Sequence, residues 1–163
     1  MEGEALSRTE SDMFAEMLWR KQMAKALEAF EALDAERLVA YWPEDHILEF
    51  PAGTPMAGEW RGRAEVTAVM RAVFDHNASI RITLGRLALV HPWSPTGTIT
   101  SFTELFVEEV GKDGDVYRSP VVSVSELRHW KAVRTRDFFG NVPGCAAHYA
   151  TLRVPPREAA PTV

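Results

Sequence analysis

Residues 131 to 141, K-A-V-R-T-R-D-F-F-G-N, carry the side chain best placed to move a proton. The run alternates as a strand does, so Val133, Thr135 and Asp137 share one face while Arg134, Arg136 and Phe138 share the other. A face that is apolar until its last member sets Asp137 among groups that cannot solvate its charge. Burial of that kind raises a carboxyl pKa and suits it to general acid/base work near neutral pH. The alternative is a strand-end carboxylate that is solvated or paired with Arg136.

Other reactive side chains are placed less tellingly. His46, His76, His91 and His129 fall in turns or at strand ends without a carboxylate partner by spacing. Cys145 is the only cysteine and lies in a tail with no local base, so an intramolecular disulfide is excluded and a cytoplasmic setting is expected. No Cys/His spacing resembles a zinc site, and neither a metal nor another cofactor is expected. A net charge of -5 without a basic stripe argues against a nucleic-acid surface. The polar, acidic N-terminus lacks the apolar run of a signal peptide, and no stretch is long and apolar enough to span a membrane. Five Trp and eight Phe point instead to a large aromatic core or an apolar pocket.

The elements that would position Asp137 follow from periodicity. Asp12 is a candidate cap for a long amphipathic helix from Met13 to about Leu33, with Met23, Leu27, Phe30 and Leu33 on one face. Asp34 can cap a second, short helix through Tyr41 and Trp42, which Pro43 stops. His46 to Phe50 reads as a short strand, and Pro51 to Gly62, with two Pro, three Gly and Trp60, as a loop. Residues 63 to 77 return to helical spacing. Four long strands then follow at about 80–90, 98–110, 116–127 and 131–139, with Gly85 marking a bulge and His129-Trp130 a turn. A short helical piece is expected from Ala146 to Leu152. This order implies an α+β fold, three helices packed on one face of a curved, mostly antiparallel sheet that closes into a cone-shaped barrel open at one end.

With these elements in place, the chain resembles the nuclear-transport-factor-2-like superfamily and, within it, the SnoaL-like proteins. D-H-I-L-E-F-P-A-G at 45–53, W-R-G-R-A-E-V at 60–66 and R-D-F-F-G at 136–140 carry the resemblance. It implies a SnoaL-like domain over 13–141 between a disordered N-terminus, 1–12, and a Pro-rich C-terminal tail, 142–163. It also implies a homodimer packed sheet against sheet, with Phe102, Arg134 and Arg136 as interface candidates. Glu104, between Phe102 and Phe106, would sit at that interface or at the pocket rim. Ketosteroid isomerases are similar around the first strand, but their acids and tyrosine fall on Phe50, Val122 and Ala26. Limonene-epoxide-hydrolase-like proteins share the last-strand acid at Asp137 and place Glu49 where a water-holding Asn stands, yet their Arg and second Asp match Leu105 and Val107. Phenazine-biosynthesis A/B proteins also place an acid at Asp137, and lack a match for their third-helix His.

The resulting expectation is a cofactor-independent acid/base enzyme, a cyclase, isomerase or dehydratase, acting on a hydrophobic small molecule of secondary metabolism. Asp137 would shuttle protons with Glu49 assisting, since two carboxylates in a dry cavity divide into acid and base. Trp42, Phe50, Trp60, Tyr117 and Thr135 would contact the substrate. The alternatives are a non-catalytic binding or scaffolding dimer, and an epoxide hydrolase or phenazine-type protein.

Overall fold

A computed structural model describes residues 9–157. Helix α1 spans Glu10–Glu31 and starts three residues earlier than the sequence implied, because the Thr9 hydroxyl, and not Asp12, accepts the first-turn N–H of Asp12 at 3.1 Å. Residues 1–8 of the expected disordered N-terminus lie outside the described residues, and residues 10 to 12 are helical. Helix α2, Ala35–Val39, is capped by Asp34 as expected, with the Arg37 N–H donating at 2.9 Å.

Strand β1, Ile47–Phe50, pairs antiparallel with β2, Gly58–Arg61, inside the segment expected to be all loop. Pro and Gly dominate that segment's composition and mask a four-residue G-E-W-R strand, which is held by its ladder to β1 rather than by propensity. Helix α3, Gly62–His76, buries Val66, Val69, Met70, Val73 and Phe74 along one stripe. Four long strands complete the sheet: β3 Asn77–Val90, β4 Thr98–Gly111, β5 Val116–Arg128 and β6 Lys131–Phe139. Their order is β2-β1-β6-β5-β4-β3, with the β1/β6 pair parallel and the rest antiparallel.

Two local features interrupt the regular ladders of this sheet. The β3/β4 register shifts between Leu84 and Leu87, and a side chain at Gly85 would meet the Glu104 carbonyl at 3.1 Å, so the strands pass closest where no Cβ stands. His129 and Trp130 both take positive φ, 50° and 64°, the backbone of a tight hairpin between β5 and β6.

The concave face packs on α1, α2 and α3 around Leu38, Trp60, Val66 and Val69, all at most 1% exposed. A fourth helix, α4, Val142–His148, lies earlier than the helical piece expected at Ala146 to Leu152. It packs on β5, and Tyr149 after it is 1% exposed. The Pro-rich tail therefore contributes core, and the packed body runs past residue 141. On the convex face Phe102, Phe106, Val122 and Phe138 remain 41% exposed or more.

Candidate active site

Between helices and sheet lies a cavity of about 110 Å³, room for several waters or a small molecule. Strand β6 points Thr135, Asp137 and Phe139 into it, and β5 answers with Ser125, Ser123 and Val121 at the paired positions. Asp137 keeps some accessible surface although protein surrounds it, because that surface belongs to the cavity. Burial pushes its carboxyl up to about 6, and a hydrogen bond from Ser123 opposes the shift. The alternation read from R-T-R-D-F-F thus puts the acid where it was expected.

Trp42, Phe50, Tyr117 and Thr135 line the cavity as expected. Two of the candidate residues do not. Trp60 is 0% exposed in the core behind it, its indole N–H donating to the Met56 carbonyl at 2.8 Å and its ring covered by the Arg157 guanidinium at 4.2 Å. It is packing, held by β2. Glu49 points to the opposite face of the sheet, because Leu48 and Phe50 take the inward positions of β1. There Arg134 donates to Glu49 Oε2 at 2.7 Å, Arg136 stands 3.7 Å from the same oxygen, and Glu59 also binds Arg134. The expected Asp137/Glu49 pair therefore does not form.

A second carboxyl faces the cavity instead. Glu109 sits on β4 opposite Tyr117, six residues along β5 from the Ser123 that faces Asp137, so the two acids occupy different levels. Burial raises Glu109 to about 7, against the Tyr149 hydroxyl, which donates to its Oε2 at 2.6 Å. Behind Tyr149 stand Asn77, His148 and Asp115 in a continuous hydrogen-bonded row. The sequence held a signal for Glu109: in V-E-E-V two consecutive Glu on a strand cannot both face solvent when the sheet's other face is covered.

The remaining reactive groups are quiet. His46 is not a turn residue at the surface but 1% exposed, its Nδ1 2.7 Å from the Ala132 carbonyl and its ring stacked on Trp42 at 4.2 Å. Burial lowers it to about 4, so it stays neutral. Cys145 is buried, and its thiol is pushed up to about 12 by burial, with Glu109 adding to the shift. Glu104 lies on the convex face in a two-bond pair with Arg86, both at 2.8 Å. Among the described residues no group of three or more His, Cys, Asp or Glu could hold a metal ion, and no helix is long and apolar enough to cross a membrane.

The model of the SnoaL-like domain family matches residues 23–135. This chain belongs to the SnoaL-like family. The match includes Glu109 and stops short of Asp137 and α4, so family membership by itself does not assign Asp137. No curated protein matches the sequence. Solved structures repeat the SnoaL-like fold at low identity. A candidate aromatic ring hydroxylase from Novosphingobium aromaticivorans shares 19% identity at a TM-score of 0.67, over 82% of this chain and 92% of that one. An NTF2-like protein from Anabaena variabilis shares 19% at 0.64, over 83% and 96%. The hexachlorocyclohexane dehydrochlorinase LinA-type3 from Novosphingobium barchaimii shares 13% at 0.65, over 81% and 91%. At such identities the likeness is one of fold.

Proposed function

We propose that this SnoaL-like protein is a cofactor-independent enzyme that moves a proton on an apolar small molecule, with Asp137 as the acid/base group. The observation that carries the reading is the Asp137 carboxyl, raised to about 6 and held by a single hydroxyl, on the wall of an apolar cavity. At neutral pH such a group is mostly ionised, which makes it a base. It is also close enough to its midpoint to return the proton. A dehydrochlorinase and a candidate hydroxylase on the same fold support a catalytic role on small molecules. The reaction class that fits is removal of a proton beside an activating group, followed by its return elsewhere or by loss of a leaving group. Isomerisation, cyclisation and dehydration are all of this kind. Ser123 orients the carboxyl, and the aromatic walls exclude water. Epoxide hydrolysis is less well supported, because Leu105 and Val107 supply neither an Arg nor a second acid near Asp137.

The test uses a panel of apolar enolisable ketones in deuterated water, with deuterium uptake at carbon followed by NMR. Uptake that disappears in Asp137→Asn supports the assignment; uptake equal in both proteins removes it. The second reading, a ligand-binding dimer, draws on the convex face, where Phe102, Phe106, Val122 and Phe138 are exposed on neighbouring strands. A homodimer through that face is compatible with either reading. Its check is sedimentation: Phe102→Glu should convert the dimer to a monomer.

A further inference from the structure

The Glu109 end of the cavity holds a carboxyl that proton transfer at Asp137 does not use. Glu109 is 9% exposed, and only its Oε2 is engaged, by the Tyr149 hydroxyl at 2.6 Å. The direction of each bond behind that contact is fixed. Asn77 Nδ2 donates to the Val73 carbonyl at 2.9 Å and to the Tyr149 oxygen at 2.8 Å, so the Tyr149 proton is left for Glu109. Asn77 Oδ1 must then accept from His148 Nε2 at 2.9 Å, while His148 Nδ1 faces the Asp115 carboxylate at 3.0 Å. Both ring nitrogens of His148 thus lie against oxygens, Asn77 Oδ1 and Asp115 Oδ2. Its Nε2 also lies 3.8 Å from Glu109 Oε2. The row thus engages Glu109 through Oε2 alone, and among the described residues no hydrogen bond reaches Glu109 Oε1.

We propose that the cavity binds an apolar molecule bearing a basic nitrogen, and that Glu109 Oε1 holds that nitrogen as an ammonium. The ligand supplies the donor that Glu109 Oε1 lacks among the described residues. Among the described residues no Lys, Arg or His lines the cavity, so the charged side chains that a carboxylate- or phosphate-bearing ligand would meet there are both acids. The walls include Trp19, Phe30, Trp42 and Tyr117, whose ring faces attract cations. A buried acid without a cation is pushed to its neutral form, so the arriving ammonium ionises Glu109 and its proton leaves to solvent. The inference rests on the cavity being the ligand site, as in the proposed function, and not on Asp137 being the base.

Isothermal titration calorimetry with phenethylamine, phenethyl alcohol and phenylacetate tests it. The amine should bind about tenfold tighter than the alcohol, the difference between a charge-assisted and a neutral hydrogen bond. Phenylacetate should bind weakest. Glu109→Gln should remove the amine's advantage while alcohol binding persists. A second arm needs no change at Glu109: amine affinity should fall as pH drops through about 7, where Glu109 takes up its proton, and alcohol affinity should not. The groups facing Glu109 are Tyr117 from β5, Asn77 from β3, Cys145, His148 and Tyr149 at α4, and Asp115 beyond His148. Repeating this arm in Asp137→Asn removes the other acid of the cavity. Equal affinity for amine and alcohol, or an amine preference that survives Glu109→Gln, overturns the proposal. Asp137→Asn should end carbon exchange yet keep amine binding, so each failure points to one proposal.

Discussion

At the Asp137 wall of the cavity one carboxyl meets one hydroxyl, that of Ser123, whereas at the Glu109 wall a carboxyl is backed by Tyr149, Asn77, His148 and Asp115. Burial raises both acids, to about 6 and about 7. What differs is what happens when each changes charge. Asp137 gains or loses a proton and disturbs a single neighbour. Glu109 cannot do so without altering the balance of a whole row whose bond directions are fixed. The lightly held group is suited to exchange protons with a substrate, and the wired group to hold a charge in place.

The largest effect that could break this contrast is on turnover. Asp137→Asn should lower carbon exchange by about a hundredfold to ten-thousandfold, the usual worth of a general base. The melting temperature should stay at or above that of the unsubstituted protein, because a buried acid has been replaced by a neutral isostere. Glu109→Gln should cost turnover less than about tenfold at saturating substrate, since an anchor acts mainly on binding. A larger loss in Glu109→Gln than in Asp137→Asn would reverse the roles.

The contrast is sharpened next by stability. Asn77→Ala removes the residue that joins α3, β3 and Tyr149, and takes from His148 Nε2 its acceptor and from the Tyr149 oxygen the N–H that it accepts. It should cost about 2 to 4 kcal/mol in urea unfolding. Ser123→Ala, at the other wall, should cost about 1 kcal/mol or less, because one bond to a cavity-facing carboxyl is lost.

How much of this was legible beforehand follows from what each residue's neighbours are. Strands β3 to β6 were readable because each alternates over nine or more residues and their connections are short. Asp137 was readable for the same reason, since one period-2 face of β6 fixed its direction. Glu49 was not, because β1 is four residues long and its inward face was open to either choice until β6 paired beside it. Trp60 looked like a loop residue because Pro and Gly dominate its segment and β2 is only four residues long. The Glu109 network was hidden for another reason. Its partners lie 32 or more residues before Glu109, at Asn77, and 39 and 40 after it, at His148 and Tyr149, in a tail that composition marks as irregular.

The pH dependence of stability gives a third test. Both carboxyls have folded values above their ordinary ones, 3.8 for Asp137 and 4.5 for Glu109, so the folded state binds protons more tightly than the unfolded chain. The stability they confer is therefore present below about pH 4 and is lost as pH rises through about 6 for Asp137 and about 7 for Glu109. Each contributes roughly 3 kcal/mol to that fall. Asp137→Asn should flatten the lower part of the curve and Glu109→Gln the upper part. Identical curves for both variants would mean that the two acids titrate as one pair, against their separate levels in the cavity.

The smallest effect is expected outside the cavity, and it guards the comparison from the other side. Glu49 is a carboxylate near Asp137 in the sheet, but its ladder position turns it outward to Arg134 and Arg136. Arg134 keeps Glu59 when Glu49 is neutralised, so no buried charge is left alone. Glu49→Gln should thus change stability by less than about 1 kcal/mol, the ordinary worth of a partly exposed pair. Carbon exchange should match that of the unsubstituted protein. If exchange fell as far as in Asp137→Asn, proximity along the sheet would matter more than the face a side chain takes, and the assignment of work to inward-facing acids alone would fail.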